Sequence, residues 1–269
     1  MAIINNQKRF FDLNFRNQKT YKKNTFSNFY GEEAARNGFM WLKKKKRILD
    51  YGCGSGTSLD LYLDSTKNFN NEIIGVDISE EAIKQCKKKY PQYRFFKISH
   101  NLIPQIHEET LDAVYLTHIL HHTRNHQSIF NEVSKKLKKG GKFFICDLTS
   151  NNPIINFARS FFSVLPISVK NEFKDDLIVK GNIPDKYKVD VYKTIDKLEK
   201  SGFKIIEVNY NHLFLFFFFW INTIFNVNET KFAPYLFLLK KVYRVEKLLL
   251  RYNLFKKRAH MFSIKCVKI

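Results

Sequence analysis

The sequence has few cysteines and few acidic residues, and it has no long apolar segment. No stretch reaches the roughly 18 apolar residues of a membrane-spanning helix, and residues 1–15 lack the pattern of a secretory signal. The cysteines are far apart and form no C-x-x-C pair, so neither a zinc site nor a disulfide framework is predicted. They are Cys53, Cys86, Cys146 and Cys266. We therefore expect reduced thiols and a cytoplasmic location.

Acidic residues are outnumbered, with 25 Asp and Glu against 46 Lys and Arg and a formal net charge of +21. A balance this basic favours an anionic partner, such as a nucleic acid or an acidic membrane face. The chain also uses much Lys, Asn, Ile, Phe and Tyr, as an AT-rich coding sequence would produce. The charge is therefore either functional or compositional, and the sequence leaves both interpretations open.

Short apolar segments alternate with helical patterns between residues 46 and 148. Strands buried on both faces are predicted at 47–51, 72–77, 94–98, 111–117 and 142–148. Ser79, followed by two acids, predicts one helix start. A second helix is predicted after residue 124, with Gly140 placed to end it. This alternation predicts an α/β fold with a doubly wound, Rossmann-like sheet, whose ligands bind beyond the carboxyl ends of the strands.

The stretch "RILDYGCGSGTSLDLYL" (47–63) places three glycines within five positions between a strand and a helix. Gly52, Gly54 and Gly56 permit positive φ and let a ligand approach the main chain closely. Asp77 ends the second strand, where a carboxylate can accept hydrogen bonds from both hydroxyls of a ribose. These features predict a ligand that contains a nucleoside. The alternative is a simple glycine turn with an N-capping aspartate.

Four motifs in order resemble those of the class I S-adenosylmethionine-dependent methyltransferases. They are "LDYGCGSG" (49–56), Asp77, "HILHH" (118–122) and "LKKGG" (137–141). The resemblance covers residues 45–148 and continues more weakly through 197–208 and 261–269. It implies S-adenosyl-L-methionine as cofactor and a mostly parallel seven-stranded sheet with an antiparallel last strand, an N-terminal lid and inserted helical segments.

The resemblance also implies roles for individual residues in cofactor binding. Asp50 would orient the methionine moiety, Asp77 would hold the ribose and Ile78 would cover the adenine. Ser99 stands where the family usually has an acid for the adenine amine, so His100 or Asn101 is the candidate substitute. The remaining residues implied at the cofactor are Gly52, Cys53, Gly54, Gly56 and Thr117.

Methyl transfer is an in-line displacement, to which positioning and water exclusion contribute most. An oxygen or nitrogen acceptor must also lose a proton, and histidine suits that role. His118, His121 and His122 form the one concentrated source of such groups, and His122 is the preferred base. The alternative is that these histidines cap the next helix or pack beneath the pocket. No metal is expected, since no neighbouring carboxylate or cysteine completes a ligand set.

The chain divides into five predicted parts. They are an N-terminal lid (1–45), a cofactor-binding core (46–150), an acceptor-pocket insertion with the rest of the core (151–210), an aromatic and basic amphipathic insertion (211–260) and the last core strand (261–269). The aromatic run 213–225 and the basic amphipathic helix 234–258 predict peripheral contact with the inner face of a membrane. The alternative is that both close over the acceptor pocket or a dimer partner.

The predicted activity is therefore an S-adenosylmethionine-dependent methyl transfer to an oxygen or nitrogen atom. The favoured acceptor is a small molecule or a lipid- or glycan-linked group, because the flanking segments are apolar. One alternative is a tRNA or rRNA methyltransferase, which the net charge allows. Another is a protein that binds the cofactor without catalysis, an interpretation motivated by Ser99.

Overall fold

A computed structural model describes residues 12, 26–67, 70–99, 101–149, 189–215, 218 and 235–269 of the chain. The helices within this part are α1 (Phe26–Leu42), α2 (Thr57–Thr66), α3 (Glu80–Lys89), α4 (His126–Lys136), α5 (Val191–Lys200), α6 (Leu236–Leu249) and α7 (Asn253–Lys256), with a 3-10 turn at Leu120–His122. The strands are β1 (Arg47–Tyr51), β2 (Glu72–Asp77), β3 (Arg94–Lys97), β4 (Leu111–Thr117), β5 (Leu137–Leu148), β6 (Phe203–Asn211) and β7 (Met261–Lys268).

The strands form one seven-stranded sheet in the order β3-β2-β1-β4-β5-β7-β6. The pairs among β1 to β5 are parallel, and β7 is antiparallel to both β5 and β6. The predicted Rossmann-like sheet with an antiparallel last strand is thereby confirmed. Because the chain order reverses between β1 and β4, a crevice opens beyond the carboxyl ends of these two neighbouring strands.

Helices cover both faces of the sheet. On one face the buried Phe39 of α1 packs edge-on against Tyr115 of β4 at 5.3 Å and Phe144 of β5 at 5.8 Å between ring centroids. On the other face Phe130 of α4 and Leu198 of α5 lie in a second apolar cluster. A sheet buried on both sides explains why its strands are nearly continuous in apolar residues.

The predicted starts of α3 and α4 are confirmed by their N-terminal caps. The Ser79 hydroxyl accepts a hydrogen bond from the Ala82 N–H at 3.1 Å, and the Asn125 side chain accepts one from the Ser128 N–H at 3.1 Å. Each cap satisfies an N–H group that has no partner within the helix. Both helices therefore begin where the sequence pattern placed them.

The predicted end of α4 at Gly140 was wrong. The helix ends at Lys136, and β5 begins at once because Leu137 pairs with Leu111 at the start of β4. Gly140 lies within β5 with φ +72°, in the stretch where the pairing of β4 and β5 is irregular. A glycine is suited to that left-handed position in a strand.

Several sequence predictions fall wholly or partly outside the described residues. Among these are the lid, apart from Asp12 and α1, the insertion at 151–187 and most of the aromatic run 213–225. The five-part division therefore stays a prediction. The four cysteines are buried and none is in a disulfide. None of the helices that the structure describes combines the length and apolar character that a bilayer crossing requires.

Candidate active site

The predicted site residues gather at the carboxyl edge of the parallel strands. The glycine turn follows β1, Asp77 ends β2, Thr117 ends β4 and Asp147 lies one residue before the end of β5. The strand order reverses at β1 and β4, so these groups surround the crevice where an α/β sheet binds its ligand.

The glycine turn is pinned to β2 by its own backbone. The N–H groups of Gly52 and Cys53 both donate to the Val76 carbonyl, at 2.8 and 3.0 Å. The Gly54 N–H donates to the Asp77 carboxylate at 2.9 Å. These hydrogen bonds fix the conformation of the turn and its position relative to Asp77.

Two glycines of the turn are required by the packing of the protein itself. A Cβ on Gly52, where φ is +78°, would lie 2.2 Å from the Ile119 side chain. A Cβ on Gly56, where φ is +89°, would lie 2.8 Å from the Tyr90 ring. Such contacts are too short, and the left-handed backbone disfavours other residues as well. At these two positions the nearest neighbours are protein side chains, whereas the sequence pattern predicted close approach by a ligand.

Asp50 is a buried carboxylate that lies near the Tyr115 hydroxyl. Its side chain is completely buried, and no described group donates to either of its oxygens. Burial raises the pKa of Asp50 to about 8, against the lowering effect of the nearby Tyr115 hydroxyl, while the charge of Asp77 adds to the rise. An uncompensated buried acid is costly, so this position suits a ligand group that is cationic or donates hydrogen bonds.

Asp77 is held in place by backbone donors. One oxygen accepts from the Ser79 N–H at 2.8 Å and the other from the Gly54 N–H at 2.9 Å. Burial raises the pKa of Asp77, although these N–H groups oppose the rise. Each carboxylate oxygen can accept a second hydrogen bond, so Asp77 retains the capacity to bind a pair of hydroxyls.

The N-terminal segment reaches the same region at one described residue. Asp12 accepts hydrogen bonds from the Ser79 hydroxyl at 2.5 Å and from the Glu81 N–H at 3.2 Å. Asp12 therefore lies beside the start of α3, next to the predicted ribose position.

The other residues predicted at the cofactor vary in their surroundings. The Thr117 hydroxyl lies 2.5 Å from the Ser58 hydroxyl, and Ile78 is partly buried against the second apolar cluster. Ser99 is exposed, and Asn101 has φ +63°. Cys53 is buried in the core beneath the turn, and His100 lies outside the described residues.

Asn101 follows Ser99 in the loop after β3. Its side-chain oxygen is 3.4 Å from the Tyr51 hydroxyl at the end of β1. This contact brings the loop to the carboxyl edge of the sheet, where an adenine amine was expected to need an acceptor. The carbonyl of Asn101 has a free lone pair for that purpose, since an amide oxygen accepts two hydrogen bonds.

The three histidines lie directly beyond β4. His118 has a left-handed backbone with φ +58°, and its N–H donates to the Cys146 carbonyl at 2.9 Å. His121 and His122 belong to the 3-10 turn, with ring centroids 3.9 Å apart, and the His118 ring is 6.1 Å from that of His121. The sequence prediction that these side chains cluster is thus met by their geometry.

Asp147 is the residue of this cluster that sequence reasoning missed. The ring of His121 is bonded through Nδ1 to Asp147 Oδ1 at 2.6 Å. The Leu120 and Leu148 N–H groups donate to the same carboxylate, each at 2.7 Å. The available signal was an acid inside the apolar strand "KFFICDL", which is unusual in a strand buried on both faces.

The charge state of this pair follows from its partners. Burial alone would raise the pKa of Asp147, but the charge and hydrogen bond of His121, followed by the charge of His118, outweigh it and lower that pKa. An ionised carboxylate only accepts, so Nδ1 of His121 carries the proton. In the neutral ring Nε2 is then left with a free lone pair, the form that accepts a proton.

The expectation that no carboxylate adjoins the histidines was wrong. His118, His121 and Asp147 each offer a ligand atom, and these atoms lie within 4.8 Å of one another. However, ligands of one ion need atoms roughly 3 Å or more apart, and the His121–Asp147 contact is shorter, at 2.6 Å. The observed geometry is that of a hydrogen-bonded pair, and we assign no metal to it.

Comparison with known proteins gives matches to methyltransferases. A family model described as "Methyltransferase domain" matches residues 42–186. A ubiquinone/menaquinone biosynthesis C-methyltransferase of Campylobacter jejuni is 24% identical over 134 residues, which cover 47% of this chain and 57% of that protein. A juvenile hormone acid O-methyltransferase of Bombyx mori is 28% identical over 189 residues, covering 68% and 65%. The chain thus spans less than two thirds of either relative.

A solved structure extends the comparison to the whole chain. This structure is of geranyl diphosphate C-methyltransferase from Streptomyces coelicolor, in complex with Mg²⁺, geranyl diphosphate and S-adenosyl-L-homocysteine. The TM-score is 0.62, and the aligned region covers 100% of this chain and 99% of that protein's chain. Its sequence is 11% identical. At that identity the likeness concerns the fold alone.

Proposed function

The chain belongs to the S-adenosylmethionine-dependent methyltransferases of the methyltransferase-domain family, and from this premise we propose that it methylates an oxygen or nitrogen atom of a small molecule or of a lipid- or glycan-linked acceptor. S-Adenosylmethionine supplies, when bound, a methyl group on a positively charged sulfur that a nucleophile can displace. The proposal that an oxygen or nitrogen atom accepts the methyl group rests on the His121–Asp147 hydrogen bond of 2.6 Å.

The residues at the glycine turn fit this cofactor. Asp50 presents a buried carboxylate with two unbonded oxygens, which suits the ammonium group of the methionine moiety. Asp77 is fixed by two backbone N–H groups and can still accept from two ribose hydroxyls. The amide of Asn101 takes the place of the acid that the family usually places near the adenine amine.

His121 is the better candidate for the base than His122, which the sequence pattern favoured. Asp147 accepts a hydrogen bond from the Nδ1–H group of His121 and so fixes the ring orientation and tautomer. Nε2 then takes the proton from an O–H or N–H acceptor, and the negative Asp147 stabilises the imidazolium that forms. The proton leaves to solvent after transfer. Asp147 acts as a positioning residue in this scheme, since it touches His121 and not the acceptor.

The acceptor class is proposed from the relatives and from the surface of the chain. The relatives are named for both C- and O-methylation, and for ubiquinone/menaquinone biosynthesis and juvenile hormone acid. The proton-accepting pair favours an O–H or N–H acceptor here. The exposed apolar side chains of α6 and α7 favour an apolar or lipid-linked one.

The proposal is tested by following a labelled methyl group. The purified protein is incubated with methyl-labelled S-adenosylmethionine and fractionated pools of lipid, glycan, RNA and small metabolites. Gly54→Arg, whose side chain is expected to occupy the predicted position of the cofactor, serves as the blank. Label in the lipid, glycan or small-molecule pool supports the proposal. Label in RNA would establish the nucleic-acid alternative, and cofactor binding without label in any pool would overturn catalysis.

A further inference from the structure

Helix α6 is fixed in orientation by one of its sides. Leu239 is buried in the core cluster, with Val242 and Tyr243 packed against it, and the Tyr243 hydroxyl donates to the Glu33 carbonyl of α1 at 2.9 Å. Glu246, on the same side, is fully buried and accepts from the Leu215 N–H at 2.5 Å and from the Phe214 N–H. This side of the helix is therefore fully used by contacts within the chain.

The opposite side of α6 is also apolar, yet it is exposed. Phe237 is 70% exposed, Leu238 57%, Val245 52% and Leu248 55%. At 3.6 residues per turn these four positions fall within about 100° of one another around the helix axis, so they lie along one outward stripe of the helix. Tyr252 and Leu254, exposed by 66% and 61%, extend it past the end of the helix into α7. We call these six residues the outer stripe.

Positive charge outnumbers negative charge in the segment that carries the outer stripe. Residues 235–258 contain eight Lys and Arg and a single acid, the buried Glu246. Lys241 lies within the stripe, with its ammonium 4.6 Å from the Phe237 ring centroid. The other exposed cations of this segment are Lys240, Arg244, Arg251 and Lys257.

We propose that the outer stripe and its cations form a docking surface for an anionic lipid bilayer. A helix that lies in the plane of a bilayer buries an apolar stripe among the acyl chains and keeps its cations at the lipid phosphates. A second copy of the chain would bring a like array of eight cations against the first. RNA would bind the cations but would leave the Leu and Val side chains of the stripe without a partner.

Helix α6 carries the docking surface on its outer side and is attached by its inner side near the carboxyl edge of the sheet. The loop that follows β6 is bound to Glu246, and the last residue of β6, Asn211, pairs with Met261, which in turn pairs with Leu148 at the end of β5. A docked bilayer would therefore lie near the edge where the candidate active site is built. An acceptor with a lipid tail could enter the site from this bilayer, an inference that rests on the proposed function. The docking itself does not depend on the proposed function.

Vesicle co-sedimentation with the full chain tests the docking. The vesicles are phosphatidylcholine, with or without about one third phosphatidylglycerol, at about 0.1 M salt, where electrostatic attraction at the surface still acts. The test variant is Phe237→Ser/Leu248→Ser. The matched control is Tyr192→Ser/Ile206→Ser, which also replaces an exposed aromatic and an exposed aliphatic residue, 65% and 51% exposed, but elsewhere on the protein.

The expected result is binding to the anionic vesicles that falls about tenfold or more in the test variant and stays unchanged in the control. Unchanged cofactor affinity in both variants confirms that they are folded. Failure of the wild type to sediment with anionic vesicles, or equal binding by the test variant, overturns the proposal. A wild-type dimer or RNA complex that the test variant abolishes, with no vesicle binding, would assign the surface to that partner instead. Gly54→Arg, expected to be inactive, should still bind vesicles, so failure of docking and failure of catalysis are separate outcomes.

Discussion

Replacing Asp50 with asparagine is expected to stabilise the folded protein increasingly as the pH rises, while abolishing cofactor binding. Asp50 is completely buried and no described group donates to it. Its pKa is raised from 3.8 to about 8, mainly by burial. The unfolded chain therefore releases this proton several pH units before the folded chain does. The free energy of unfolding falls as the pH rises from about 4 to about 8 and levels off above that.

The size of the effect follows from the shift. Each pKa unit corresponds to about 1.4 kcal/mol, so between about pH 6 and about pH 8 the Asp50 carboxyl lowers the free energy of unfolding by about 2 kcal/mol. Asparagine has no such dependence on pH. Its buried amide lacks partners too, at a pH-independent cost of about 1–3 kcal/mol. The difference between Asp50→Asn and the wild type should therefore grow by about 2 kcal/mol over this interval.

Urea unfolding of the cofactor-free protein at the two pH values measures this difference. Asp196→Asn is the matched control, because Asp196 is exposed in an ion pair with Lys200 on the surface of α5. The control should differ from the wild type by the same small amount at both pH values. A difference between Asp50→Asn and the wild type that does not change with pH would refute the burial argument.

Two further predictions concern the cofactor site and the core. Because Asp50 is mostly protonated at neutral pH, binding of the cofactor's ammonium group should release a proton. Titration calorimetry of the wild type in two buffers of different ionisation enthalpy should detect that proton, and equal binding heats in both buffers would count against the assignment. Gly38→Ala would place a Cβ 2.1 Å from the Phe144 ring and should lower the free energy of unfolding by about 1–3 kcal/mol. A Cβ at Gly31 would lie 3.6 Å from the Leu61 side chain, so Gly31→Ala should leave the free energy of unfolding unchanged or raise it. Equal urea midpoints for the two variants would disprove the predicted clash with Phe144.

The features that the sequence predicted well are those with a local cause. The strands β1, β2 and β4 begin and end where continuous apolar runs do, because both faces of the sheet are covered. The starts of α3 and α4 follow from Ser79 and Asn125, whose side chains cap the next turn. Such features can be predicted from a short stretch of sequence, without knowing which distant segments pack together.

The features that it missed depend on contacts between distant parts of the chain. Gly140 was placed at a helix end, but the pairing of Leu137 with Leu111 starts β5 earlier. Helix α6 has apolar residues on two sides, and the pattern alone cannot tell which one meets the core. The interaction of Glu246 with the backbone at Leu215, 31 residues away, settles that orientation.

The acid beside the histidines was missed for the same reason. Asp147 follows three apolar residues and a cysteine of β5, and its partner His121 lies 26 residues earlier, beyond a different strand. Only the parallel pairing of β4 with β5 places the two side chains together. The doubled histidine could be recognised as a motif, but which ring would receive an orienting carboxylate could not.

The most direct test of the account is the turnover of His121→Gln, Asp147→Asn and His122→Gln on the acceptor pool that takes up the labelled methyl group. If the His121–Asp147 pair withdraws the proton, His121→Gln should lower turnover by about 100-fold or more, and Asp147→Asn should also lower it and shift the pH dependence of the rate. His122→Gln should change turnover by less than about threefold, and all three variants should bind the cofactor as the wild type does. A large loss in His122→Gln with His121→Gln near wild type would contradict the account.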